Sequence, residues 1–121
     1  MVKSLVKTTA LMAASALLSS LPALAQVSAA NVRALNVARN WAVNNNGGLS
    51  VYRPAACMFN TGDGGGSCLT QNNGQGFRFK FLGGRPGWIE QGTAPTTETE
   101  LQVSIDGRQV TQVIYLSLIH I

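Results

Sequence analysis

An α+β fold, with one N-terminal helix packed on a small antiparallel sheet of three to four strands, is what this 121-residue chain predicts. Three observations carry it. One stretch places apolar residues at helical spacing, later stretches alternate apolar with polar residues, and a hairpin signal joins the last two of these. Helix and strands each present one apolar face, and burying those faces against one another is the natural architecture.

The helix is expected over residues 28–44. Ser28 can cap it, and Ala29, Ala30, Ala34, Leu35, Ala38 and Ala42 are strong helix formers. Leu35, Ala38, Trp41 and Ala42 make one apolar stripe with Val32 and Val37 beside it, while Arg33, Asn36, Arg39 and Asn40 lie mostly off it. Asn44-Asn45-Asn46-Gly47-Gly48 ends the helix, since Asn and Gly tolerate the left-handed backbone of a C-cap.

Residues 49–59 read as a weak strand interrupted by Pro54, which should be short or lie at a sheet edge. Residues 60–76 are rich in Gly, Asn and Ser and read as a loop. The clearest strand is 76–81, with Phe77, Phe79 and Phe81 on one face and Arg78 and Lys80 on the other. Gly83-Gly84-Arg85-Pro86-Gly87 follows as a turn, with Pro86-Gly87 suited to the centre of a type II turn.

Residues 97–105 alternate again. Thr99, Leu101, Val103 and Ile105 are expected inward, and Glu98, Glu100, Gln102 and Ser104 outward. Asp106-Gly107 is read as a two-residue primed hairpin turn, which places Val110 opposite Val103 and Ile114 opposite Thr99.

The ends of the chain carry a different kind of information. Residues 1–25 read as a secretory signal peptide: Lys3 and Lys7, an apolar run, the helix breaker Pro22, then Ala23-Leu24-Ala25 before Gln26. The alternative is a membrane anchor, against which stand five Ser/Thr between Thr8 and Ser20 and the cleavable end. No Cys stands at the cleavage point to take a lipid. The expectation is an exported protein, periplasmic or extracellular, with no stable membrane anchor after cleavage.

At the other end, Leu116-Ser117-Leu118-Ile119-His120-Ile121 resembles the translation of a transposon end used in DNA library preparation. The alternative is a native final strand, for which Leu116, Leu118 and Ile119 are suited. On the first reading the native sequence is a single small domain over residues 26–115, cut short at its C-terminus. His120, the one histidine, then has no functional meaning.

Without the signal, seven Lys/Arg stand against five Asp/Glu, a balance that requires no acidic polymer as partner. Export further disfavours nucleic acid. Cys57 and Cys68 are expected to pair in an oxidising compartment, closing the loop between them. Zinc wants four ligands, and these two thiols lack further Cys or a usable His.

Several motifs fail on inspection. Gly62-Asp63-Gly64-Gly65-Gly66-Ser67 resembles a serine-protease motif, yet Gly64 stands at the nucleophile position and no base is available. A phosphate loop needs a Lys-Ser/Thr pair that does not follow. Calcium could use Asn60 and Asp63, but Gln71 replaces the bidentate acid at the twelfth position. The Phe77–Phe79–Phe81 alternation resembles nucleic-acid-binding strands, but it is also how a core face looks. Glu98 and Glu100 lie about 6.5–7 Å apart on one strand, a spacing that overlaps that of inverting glycosidases, but both point outward from a single element. No catalytic residue, metal ligand or cofactor is therefore assigned. The candidate binding surface is Tyr52, Arg53, Arg85 and Trp88, because exposed Arg and aromatic residues carry binding energy.

With Gly47-Gly48-Leu49, Tyr52-Arg53, Phe77 to Phe81, Gly83 to Gly87 and the Thr/Glu-rich hairpin before Tyr115, most of residues 31–115 resembles small uncharacterised secreted proteins of cyanobacteria. The resemblance brings no known activity. The Cys57–Cys68 loop is an elaboration on that pattern. In topology alone, a helix followed by an antiparallel meander also resembles cystatin-like and PepSY-like domains. The cystatin Gln-x-Val-x-Gly loop is not reproduced, since Gln102-Val103-Ser104-Ile105-Asp106-Gly107 has the wrong spacing.

The functional expectation is a non-catalytic binding or interaction module facing an envelope or extracellular protein. The alternatives are a protease-inhibitor-like or PepSY-like regulator using the Arg85–Trp88 turn, and the N-terminal part of a longer exported enzyme.

Overall fold

The computed structural model describes residues 27–118. The segment read as a signal peptide, its expected cleavage site and His120 lie outside the described residues.

Helix α1 (Ala29–Asn45) is capped by the Ser28 side chain, which accepts from the Asn31 N–H at 3.0 Å. Its buried positions are Asn31, Ala34, Leu35, Ala38 and Ala42, a narrow stripe of mostly small side chains. Trp41 and Val37 flank that stripe and pack against the core from the side. The turn after Asn46 closes with Gly48 N–H donating to Val43 O at 2.9 Å, and Gly47 takes a positive φ of 98°.

Five strands form one antiparallel sheet: β1 (Arg53–Pro54), β2 (Leu69–Asn73), β3 (Gly76–Gly84), β4 (Thr97–Val103) and β5 (Val110–Leu118). The α+β class and the helix-on-sheet arrangement are as the sequence predicts, with one strand more. Strand β3 is the spine. On one side it pairs with β4 from Phe77↔Val103 to Gly83↔Thr97, and on the other with β2 and then β1. The core lies between α1 and the facing side of β3 and β4, where Leu35, Met58, Phe79, Leu101 and Val103 are fully buried.

The 49–59 segment contributes two strand residues at the sheet edge, a short edge strand as expected because Pro54 cannot donate to a longer ladder, and then a 3₁₀ turn at Ala56–Phe59. Four other local expectations are corrected. The 60–76 segment holds two short 3₁₀ turns and all of β2, which was read as loop. The β4–β5 connection is wider than a primed hairpin. Ser104 N–H donates to Gln109 O and Gly107 N–H to Ser104 O, both at 2.8 Å, so residues 105–108 form the loop and Ile105 is exposed. Gly107 has φ 75° while Asp106 keeps a negative φ, whereas the primed turn needs both positive.

Register is the third. Val103 does face Val110, but Thr99 faces Leu116, because register shifts skip Thr111 and Ile114 on β5. Gln102 is also buried, against the outward placement expected of it: its Oε1 accepts from Arg78 Nε at 3.0 Å and its Nε2 donates to Gln75 O at 3.2 Å. Beyond Tyr115, β5 continues through Leu116, Ser117 and Leu118 opposite Thr99, Glu98 and Thr97.

Candidate functional site

The pairing of β1 with β3 sets up the most developed concave surface bearing residues singled out from the sequence. Arg53 lies opposite Gly84 in that ladder, so the chain leaving β3 turns back beside β1. Arg85, Pro86, Gly87 and Trp88 then form the expected type II turn, with Gly87 at φ 85° and Trp88 N–H donating to Arg85 O at 3.0 Å. Gln91 N–H to Gly87 O and Thr93 N–H to Trp88 O close the rest of the loop upon itself.

The turn lays the Trp88 ring on Gly84, where a Cβ would stand 3.0 Å from the indole Cγ. A side chain at position 84 would push the ring away. The indole Nε1 donates to Arg53 O at 2.9 Å and ties the loop to β1.

Between this loop and the 3₁₀ turn at Ala56–Phe59 runs a cleft of about 430 Å³, within the size range of small-ligand sites, about 300–1,000 Å³. Arg53, Phe59, Pro86, Trp88, Ile89 and Glu90 line it. Phe59 and Ile89 are exposed at its rim. Phe59 is backed by Arg39, whose guanidinium carbon sits 5.1 Å from the ring centroid, with Nη1 donating to Met58 O at 3.1 Å. Partial burial lowers the pKa of Arg39. The Arg53 guanidinium donates to Leu49 O at 3.0 Å and stays exposed.

Of the expected surface residues, Arg53 and Trp88 meet in this cleft. Arg85 lies on the other side of Pro86 and Trp88, in a smaller cleft of about 330 Å³ with Gln91, Thr93 and Thr96. Tyr52 is elsewhere. It is 3 % exposed, packed over Gly83, and belongs to the core, so it presents nothing to a partner. Its hydroxyl is buried without a hydrogen-bond partner, as are those of Thr97 and Thr99. Burial raises the Tyr52 pKa, and the two nearby threonine hydroxyls pull it partly back.

Ile89 and Glu90 were missed by sequence reasoning. Their signal was weak: a single apolar and a single acidic residue just past a turn.

Cys57 and Cys68 form a disulfide with their Cα atoms 5.8 Å apart, holding the Ala56–Phe59 turn that carries Phe59. The buried Asn31 side chain donates to Gly64 O at 3.1 Å and fastens the same loop to α1.

Among the described residues no three His, Cys, Asp or Glu side chains gather in a metal-holding group, and no helix is long and apolar enough to cross a membrane. Lys80 and Glu98 form an ion pair at 3.6 Å on the sheet face away from the helix. Compared with protein families, curated proteins and solved structures, the chain matches none.

Proposed function

We propose that this chain is a non-catalytic binding module of the periplasm, envelope or extracellular space, and that it grips a segment of another exported protein in the Arg53–Phe59–Trp88 cleft. The carrying observation is the cleft itself. It holds aromatic and aliphatic walls with one cation and one carboxylate at its edge, the composition of a site that binds rather than reacts. Its walls are held by the Trp88–Arg53 bond and by the disulfide, which lowers the ordering cost of binding.

The chemistry within reach supports the same reading. The ionisable groups lining the cleft are Arg53 and Glu90, and both cysteines are committed to the disulfide. General acid–base catalysis draws on histidine, thiols or paired carboxylates, and the lining of this cleft offers one guanidinium and one carboxylate. The disulfide is compatible with an oxidising, exported location. The inhibitor alternative gains nothing from the Arg85–Trp88 segment, which is folded into a tight turn rather than the extended strand a protease cleft would accept.

A photo-crosslinking amino acid placed at Ile89, compared with one at Ile105 on the distant hairpin, tests the proposal in the exporting cell. Discrete protein adducts from position 89 and none from position 105 are expected. Adducts at neither position, or the same adducts at both, would overturn it.

A further inference from the structure

An asparagine followed by glycine is prone to lose its side-chain amide. Glycine carries no Cβ, so its backbone nitrogen is unhindered and the chain is free to close a ring onto the asparagine. Two such steps fall among the described residues, Asn46-Gly47 and Asn73-Gly74. The fold treats them oppositely.

At the end of α1 the side chain is drawn backward. Asn46 is half-buried and its Nδ2 donates to Ala42 O at 2.7 Å, which turns the amide toward the helix and away from Gly47. Gly47 is crowded as well, since a Cβ there would stand 2.7 Å from Val51 Cγ2. In the turn joining β2 to β3 the side chain is drawn forward. Asn73 Oδ1 accepts from the Gln75 N–H at 2.9 Å, which folds the amide over the Gly74 peptide. Residues 72–75 are all exposed, and a Cβ at Gly74 would meet open space. The same bond has a chemical effect. When a nucleophile adds to the amide carbon, the amide oxygen takes up negative charge. The Gln75 N–H already points at that oxygen, as an oxyanion-hole donor does.

We propose that Asn73 is a site of spontaneous covalent modification, converted in the folded protein to aspartate and β-linked aspartate by attack of the Gly74 nitrogen. That nitrogen gives its proton to solvent hydroxide and bonds to the Asn73 Cγ. The Cγ–Nδ2 bond then breaks, and the side-chain nitrogen leaves as ammonia, taking a proton back from water. Water opens the resulting cyclic imide at either carbonyl. The balance is one water consumed and one ammonium released for each carboxylate formed. Opening at the main-chain carbonyl gives the β-linked product, which lengthens the backbone by a methylene beside the Asn73↔Gly76 pair. The β3 side of the turn cannot shift to absorb it. Gln75 O accepts from the buried Gln102 Nε2 at 3.2 Å, and Gly76 is pressed against the Val103 carbonyl, where a Cβ would collide. The extra length therefore falls on the exposed, polar end of β2, which loosens while the core beneath β3 is kept.

Incubating the full chain, processed by an exporting host, at mildly alkaline pH tests this, with tandem mass spectrometry to place each amide-to-acid conversion. In the folded protein Asn73 should convert about tenfold or more faster than Asn46, which must first release its bond to Ala42 O. In denaturant the two rates should converge, because both sites are Asn-Gly. Gly74→Ala should slow conversion at Asn73 severalfold. Position 74 has room for a Cβ and no positive φ, so this variant keeps the fold, and far-UV circular dichroism checks that. Equal rates in the folded protein, or no conversion at Asn73, overturn the proposal. A difference that persists in denaturant also overturns it, by assigning the selectivity to flanking residues rather than to the turn. So does a G74A variant that converts as fast as wild type, since the reaction would then not pass through the Gly74 nitrogen.

Discussion

The indole of Trp88 reaches across 35 residues to the backbone carbonyl of Arg53, and that bond at 2.9 Å joins the loop after β3 to the edge strand β1. It acts on a ring already seated on Gly84, so position and orientation are fixed together.

Replacing Trp88 separates these contributions. Trp88→Phe keeps an aromatic on Gly84 but loses the donor, and the Arg53 carbonyl lies where water can take its place. The expected cost is about 1 kcal/mol. Trp88→Ala also removes a half-buried ring and should cost about 2–3 kcal/mol. Urea unfolding midpoints measure both, and a smaller loss for Ala than for Phe would show that the ring rather than the bond is misplaced.

Reduction of Cys57–Cys68 should destabilise the domain by about 3 kcal/mol, the chain-entropy value for a loop of this length. That is a large share of the stability of a small domain, about 5–15 kcal/mol. Thermal melts with and without reductant, alongside the Cys57→Ser/Cys68→Ser pair, provide the measurement. The near-UV signal of the loop around Phe59 should change first.

Asn31 fastens that same loop from the helix. Asn31→Ala deletes the donor to Gly64 O in a buried setting, and the expected loss is about 1–3 kcal/mol. In the wild-type chain Gly64 leaves room for that amide: a Cβ there would collide with it, and the φ of 62° itself disfavours a side chain. Because the disulfide and Asn31 restrain one segment, their losses should fall short of additive in a double-mutant cycle. Strict additivity would mean that the loop's two ends move independently.

Much of this architecture was legible in the sequence because the signals were local. Ser28 and the Leu35–Ala38–Ala42 spacing mark α1, the Phe77–Phe79–Phe81 alternation marks β3, and Pro86-Gly87 marks its turn. What escaped depends on partners far along the chain. Strand β2, Leu-Thr-Gln-Asn-Asn, has no alternation of its own and exists because β3 offers it a free edge. The bulges at Thr111 and Ile114 follow from fitting β5 to β4, and nothing in either residue announces them. Arg53 and Trp88 were legible by residue type, and their meeting was not, since it follows from the Arg53↔Gly84 register. Tyr52 was misplaced for a related reason. The missing side chain at Gly83 makes room for its ring 31 positions earlier, and a Tyr-Arg step read locally looks like surface.

That buried Tyr52 gives the fold a dependence on alkaline pH. Burial raises its pKa in the folded state, while the unfolded chain titrates near the ordinary value of about 10. A group whose folded pKa is raised contributes stability that is fully present below the unfolded pKa and is lost as pH climbs through the folded one. Stability should therefore hold up to about pH 9–10 and fall above it, because only the unfolded chain readily releases the phenolic proton. Tyr52→Phe removes the titration and deletes a hydroxyl with no hydrogen-bond partner. At neutral pH it should leave stability unchanged or raise it by up to about 1 kcal/mol. Melting temperatures across pH 7–11 should then diverge, with wild type falling more steeply than the variant as the tyrosine range of about 10 is entered. Parallel curves would place the Tyr52 hydroxyl in contact with solvent, contrary to its packing over Gly83. A loss of stability at neutral pH would show instead that the hydroxyl is bonded, with Thr97 or Thr99 as its partner.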